Sequence, residues 1–189
     1  MVILPPTFFM KLFLTGLPGV GKTTIVQQLI KLLREDGYAC VGFVTEEERD
    51  QQGDRVGFLM RNVAHAARTA YMAHVSEAKV NTGVKHRRYH VNVDGIRDLA
   101  AASLSEPGDV IVLDEVGRME LYCPEFVLAA KRVILEDPRV LVLGTIALYG
   151  KGIIAEIKKH VDLVLVTEEN RDTLTAELFA KLKNSLQKE

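Results

Sequence analysis

Short apolar runs alternate along the chain with stretches whose apolar residues recur every three or four positions, the pattern of strands alternating with helices. Met10-Lys11-Leu12-Phe13-Leu14 predicts a first strand. Ile25, Val26, Leu29, Ile30, Leu32 and Leu33 then share a helical stripe, and Gly37 stands where that helix ends. Ala39 to Glu46 alternates as a second strand, and beyond the turn Gln51-Gln52-Gly53-Asp54 the run Arg55 to Met60 completes a hairpin. Residues 61–90 carry only short β-like pieces, near Thr69 to Met72 and Arg88 to Val91. Ile96 to Leu104 reads as a modest helix ended by Glu106-Pro107-Gly108. Asp109 to Glu115 encloses an unbroken apolar run, the mark of a strand buried on both faces in a parallel sheet. A helix from Glu125 to Leu135, a buried strand from Val140 to Leu143 and a loop or short helix bearing Lys151 follow. A strand from Asp162 to Val166 and a helix from Asn170 to Leu186 close the chain.

This order predicts a doubly wound, mainly parallel α/β sheet with right-handed crossovers, whose ligand lies at the C-terminal ends of the strands. The 189 residues suit one domain, with residues 47–91 as a β-rich insertion and residues 1–9 as an N-terminal extension before Met10. Met1 to Leu14 is apolar but lacks a basic start, contains Pro5-Pro6 and runs straight into the motif below, unlike a signal peptide. No run reaches the roughly 18 apolar residues of a membrane span. Lys plus Arg number 24 against 25 Asp plus Glu, so no global field draws in nucleic acid or an anionic membrane. The basic run Lys85-His86-Arg87-Arg88 therefore reads as a solvated face. Two cysteines without CxxC spacing fit a reducing cytoplasm, and a monomer is the expectation.

The first strand feeds Gly16-Leu17-Pro18-Gly19-Val20-Gly21-Lys22-Thr23-Thr24, which fits G-x-x-x-x-G-K-[ST]. Between a strand and a helix, such glycines let successive N–H groups turn inward and cradle phosphate oxygens at a helix N-terminus. Lys22 then reaches the β- and γ-phosphates, the Thr23 hydroxyl ligates Mg²⁺, and Thr24 donates to a phosphate nearer the sugar. Asp114, closing a buried strand, is the carboxylate expected to hold that cation through water. Glu115 beside it repels a triphosphate, so its presence points to orienting or deprotonating the attacking water. Thr145, at the tip of the next buried strand, lies near the γ-phosphate if that strand inserts between the two motif strands. Arg118, Lys151 and Arg171 are candidate charge neutralisers, and the Asn170-Arg171 loop is the candidate base side.

These segments, with Gly42-Phe43-x-Thr45-Glu46-Glu47, Asp114-Glu115-Val116-Gly117-Arg118-Met119-Glu120, Gly144-Thr145 and Thr167-x-Glu169-Asn170-Arg171, resemble the cancer-related nucleoside-triphosphatase family. The resemblance spans Met10 to Arg171 and implies a P-loop NTPase fold and slow, Mg²⁺-dependent hydrolysis of several nucleoside triphosphates to diphosphate and phosphate. Arg118 stands where the family pattern has Lys, and the two cations differ in hydrogen-bonding geometry. A nucleotide kinase would use the same loop, with the Arg49 to Arg88 insertion supplying acceptor pocket and lid. A nucleotide-dependent nucleic-acid-binding module is the reading from another class, and the balanced charge argues against it. The guanine-reading Asn-Lys-x-Asp motif is absent from the sequence.

Overall fold

The computed structural model describes residues 9–80 and 84–187. Five strands form the parallel half of one sheet: β1 (Lys11–Thr15), β2 (Cys40–Arg49), β7 (Val110–Val116), β8 (Leu141–Ile146) and β9 (Asp162–Leu165). Beyond β2, the strands β3 (Arg55–Asn62), β4 (Thr69–His74), β5 (Lys85–His86) and β6 (Tyr89–Val91) continue the same sheet with antiparallel pairing. The full order is β5-β6-β4-β3-β2-β7-β8-β1-β9. Strands β3 to β6 therefore extend the central sheet rather than standing apart from it. β2 makes this possible because its first half pairs with β7 and its second half, through Arg49, runs on alone with β3.

Alternation along each buried strand feeds two cores. Phe13, Phe43, Ile111, Leu113 and Val142 face one, and Leu12, Leu14, Val110, Val112 and Leu143 face the other. Helices α1 (Lys22–Glu35) and α5 (Arg171–Leu186) cover the second face with Ile25, Leu29, Leu33, Leu174 and Leu178. The first is covered by α3 (Pro124–Lys131) and α4 (Ile153–Ile157), together with the π-type turns Ile96–Ala101 and Arg132–Glu136 that continue α2 (Val93–Gly95) and α3. α1 ends as expected, with Gly37 in a left-handed conformation and the Tyr38 N–H donating to Leu33 O at 3.0 Å. Gly42 is required where β2 pairs with β7, because a Cβ there would overlap the Val112 carbonyl.

At the other end of the sheet Lys11 is buried, and its ammonium donates to the carbonyls of Val133, Asp137 and Val140. Burial pulls its pKa down to about 8, against the pull of Asp137 in the other direction. Phe9 is tied to the fold by its N–H on Pro138 O, 2.9 Å, and the rest of the expected 1–9 extension lies outside the described residues. Among the described residues no helix is long and apolar enough to cross a membrane.

Candidate active site

Strand β8 lies between β1 and β7, so the loops after β1 and β7 open onto one cleft at the C-terminal ends of the parallel strands. The cleft holds about 720 Å³ and is lined by Gly16, Lys22, Thr23, Glu115, Arg118 and, from the antiparallel extension, Arg55. Gly16 leaves β1 with φ 153°, and a Cβ on it would stand 2.6 Å from Val166 O, so only glycine turns the chain there. α1 starts from Gly21, also left-handed, with no side-chain cap on its first N–H groups. Those donors are left for an anion. Lys22 Nζ folds back onto the carbonyls of Gly16 and Leu17, both at 3.1 Å. Thr24 is exposed on the cleft wall beside Leu17, Pro18 and Gly19, whereas Val20 is buried beneath the loop.

Asp114 is fully buried and accepts hydrogen bonds from four groups. Thr23 Oγ1 donates to Oδ1 at 3.2 Å, Thr145 Oγ1 to Oδ1 at 2.8 Å, and the Thr45 N–H and hydroxyl to Oδ2 at 3.3 and 3.4 Å. Burial pushes its pKa up, and these donors oppose the shift. Asp114 thus reaches the cleft through Thr23 rather than directly. Because Thr23 donates its proton to Asp114, both lone pairs of its hydroxyl remain for a hard cation, which favours oxygen donors. Among the described residues no cluster of three or more His, Cys, Asp or Glu could hold a metal alone. That donor set suits a cation whose remaining ligands come from phosphate and water.

Glu115 follows on the cleft wall. Burial pushes its carboxyl up, Lys22 and Arg55 pull it down, and Asp114 pushes it up. Glu120 lies deeper, 2% exposed, accepting the Gly117 N–H at 3.1 Å. Burial, with Glu115 adding to it, raises Glu120 from 4.5 to about 8. Its folded-state pKa is the higher one, so the stability it contributes is complete below about 4.5 and is lost as pH rises through 8. Glu120→Gln should therefore gain on the unaltered chain by up to about 1.4 kcal/mol per pH unit across that window. Thermal unfolding without nucleotide at pH 5 and 8 checks this, and parallel slopes for the two proteins would contradict it.

The family model described as NTPase matches residues 11–179. The chain belongs to the NTPase family. It is 34% identical over 185 residues to the cancer-related nucleoside-triphosphatase homolog of Mus musculus, covering 92% of this chain and 96% of that protein. To the nucleoside-triphosphatase THEP1 of Methanocaldococcus jannaschii it is 33% identical over 173 residues, covering 92% and 97%. The crystal structure of THEP1 from Aquifex aeolicus superposes with a TM-score of 0.77 at 29% identity, covering 92% of this chain and 99% of that one. The sequence resemblance and the P-loop NTPase fold class are thus both borne out.

In this NTPase-family chain Lys22, Thr23 and Glu115 line one cleft with Asp114 behind Thr23, and Arg118 is exposed on the same cleft. Other candidates stand elsewhere. Thr145 is fully buried with its hydroxyl on Asp114, so it holds that carboxylate and does not line the cleft. Lys151 is exposed outside the cleft. Asn170 uses its side chain internally, accepting the Thr167 N–H at 2.8 Å and donating to Leu165 O at 2.9 Å. Arg171 flanks the phosphate loop from outside the cleft, its Cδ 3.8 Å from where a Cβ on Gly21 would sit. In the basic run Lys85, Arg87 and Arg88 are exposed, as a solvated face requires, and His86 and Arg87 also border the cleft. Burial, with Arg87 and Arg118 nearby, lowers the His86 pKa. Arg55, His86 and Arg87 carried no signal of a site in the sequence beyond residue type. Thr45 was signalled only through the Gly42-Phe43-x-Thr45-Glu46-Glu47 segment of the family resemblance.

Proposed function

We propose that this chain hydrolyses nucleoside 5′-triphosphates, ATP, GTP, CTP and UTP with little base selectivity, to diphosphate and phosphate with Mg²⁺ as cofactor. The observation that carries the reading is Glu115, a carboxylate on the cleft wall within the electrostatic reach of Lys22. The names of the relatives point the same way. The loop amides and Lys22 hold the phosphates. Glu115 orients a water whose oxygen bonds to Pγ as the bond from Pγ to the β,γ-bridging oxygen breaks, the electron pair leaving on the diphosphate. The water proton passes to Glu115 and then to solvent. Thr23, with Asp114 behind it, would hold the Mg²⁺, which when bound neutralises phosphate charge. Low selectivity follows from contacts that read phosphate, while the Asn170 amide is spent on its own loop.

The test is to incubate the protein and Mg²⁺ with each triphosphate, alone and with a panel of nucleosides and monophosphates. Phosphate release should occur from all four, within about 100-fold of one another, or 2.7 kcal/mol in barrier. A phosphorylated acceptor in place of free phosphate would favour the kinase reading. Asp114→Asn sharpens the assignment. The Asn oxygen can keep the Thr45 N–H, but its NH₂ must then face Thr23 and Thr145, and Thr23 must accept where it now donates. A lone pair meant for the cation is consumed. Productive Mg²⁺ affinity should fall about 10- to 100-fold and recover at high Mg²⁺. An unchanged Mg²⁺ dependence would remove Asp114 from the metal site.

A further inference from the structure

Among the described residues five cations face the cleft, namely Lys22, Arg49, Arg55, Arg87 and Arg118 with Lys22 already assigned to the phosphate loop, and they differ in how firmly they are placed. Arg118 and Arg87 are exposed. Arg49 is half exposed and joins Glu47 at 2.6 Å. Arg55 is held from several sides. Its Nη2 contacts the other oxygen of Glu47, its guanidinium lies 5.5 Å from the centre of the Phe58 ring, and its backbone carbonyl accepts from Arg88 and from Tyr89 Oη. Its Nε is buried without a hydrogen-bond partner among the described residues. A buried donor left unpaired costs about 1 to 3 kcal/mol, and a catalytic role is one reason such a group is kept.

We propose that Arg55 is a catalytic residue of this site, its guanidinium meeting the γ-phosphate and stabilising the charge that develops there as the bridging bond breaks. The inference rests on the hydrolase reading above. In phosphoryl transfer the reaction spreads negative charge over the γ-oxygens, and a cation stabilises it best when its position is fixed beforehand. Glu47 and Phe58 fix Arg55, whereas exposed Arg118 must be ordered at each encounter. Arg55 and Glu115, the water-activating carboxylate, line the same cleft. The β2–β3 hairpin, pairing Arg49 with Arg55, then has a purpose in the reaction, since it carries a cation from the antiparallel extension to the cleft that the phosphate loop lines. Arginine suits the position because one edge can stay on Glu47 while another N–H reaches an oxygen, which a lysine ammonium cannot do in the same geometry.

The experiment compares Arg55→Ala and Arg55→Lys with the unaltered protein in steady-state hydrolysis, with diphosphate binding and thermal unfolding as controls. Both variants should lose about 10²- to 10³-fold in kcat while diphosphate affinity changes by less than about 5-fold. Millimolar guanidinium ion should restore part of the activity of Arg55→Ala and none of that of Glu115→Gln. A complex of diphosphate with aluminium fluoride should form on the unaltered protein and fail on Arg55→Ala. If Arg55→Ala does not fold, Arg55→Lys, which keeps a cation for Glu47, carries the same comparison. Turnover within about 3-fold of the unaltered protein in the folded variant overturns the proposal and leaves the hydrolase reading standing. Absence of phosphate release from every triphosphate by the unaltered protein overturns both.

Discussion

Glu115→Gln should bind nucleoside triphosphate at least as tightly as the unaltered chain and hydrolyse it about 10² to 10⁴ times more slowly, or 2.7 to 5.4 kcal/mol in barrier. Glutamine fills the same space at the end of β7 but cannot take a proton or present a full charge to the attacking water. Removing the charge also relieves repulsion with the γ-phosphate, so affinity should hold or improve. The residue's surroundings set the pH course. Burial pushes its carboxyl above the ordinary range, with Lys22 opposing, and only the ionised form serves as base. Hydrolysis by the unaltered chain should accordingly rise with pH through that raised pKa, and the residual activity of Glu115→Gln should lack that limb. Nucleotide binding by calorimetry and phosphate release across pH check both halves. Unchanged hydrolysis would make Glu115 a bystander, and transfer to an acceptor surviving in the variant would favour the kinase reading.

What the sequence disclosed follows the range over which each feature is determined. The phosphate loop is a local object, since the left-handed turns at Gly16, Gly19 and Gly21 and the helix that follows lie within one short stretch. Asp114 and Glu115 were legible because an unbroken apolar run closes on them, whereas the place of β8 between β1 and β7 stood in the sequence only as a condition. Arg55 was not legible, because its position depends on the register that pairs Arg49 with Arg55 and on a bulge beside it at Glu48/Arg49. Residues 61–90 were obscure for a related reason. β5 has two residues and β6 three, too short for alternation to show, so nothing announced that His86 and Arg87 would turn to the cleft.

Polar side chains set a further limit. Thr145 and Asn170 stand close to where their motifs implied, yet their hydrogen-bonding groups are consumed by Asp114 and by the Thr167 and Leu165 backbone. Periodicity places a backbone near a site, whereas the partner that claims a hydroxyl or amide comes from another strand. Arg118 shows the converse, since its motif brought it to the cleft but no hydrogen-bond or ion-pair partner among the described residues holds it there.

Lys22→Ala should lower kcat/KM about 10²- to 10³-fold, or 2.7 to 4.1 kcal/mol, for two reasons that can be separated. Without nucleotide the ammonium rests on the carbonyls of Gly16 and Leu17, one of the two contacts exposed, so the substitution should cost little stability, about 1 kcal/mol or less. With nucleotide, the cation that spans the β- and γ-phosphates is gone, and affinity and turnover should fall together because it acts in both the ground and transition states. The second loss is indirect. Lys22 is the largest of the influences holding the Glu115 carboxyl down against burial, so its removal should push that pKa further up. The acid limb of kcat/KM should move to higher pH in Lys22→Ala. The same coupling makes the double variant Lys22→Ala/Glu115→Gln lose less than the sum of the two single losses in free energy, since a residue that supports an ionised Glu115 has nothing to support once Gln stands there. Near-normal activity in Lys22→Ala would remove the phosphate-loop assignment. Strictly additive losses with an unmoved acid limb would confine Lys22 to the phosphates and leave Glu115 independent of it.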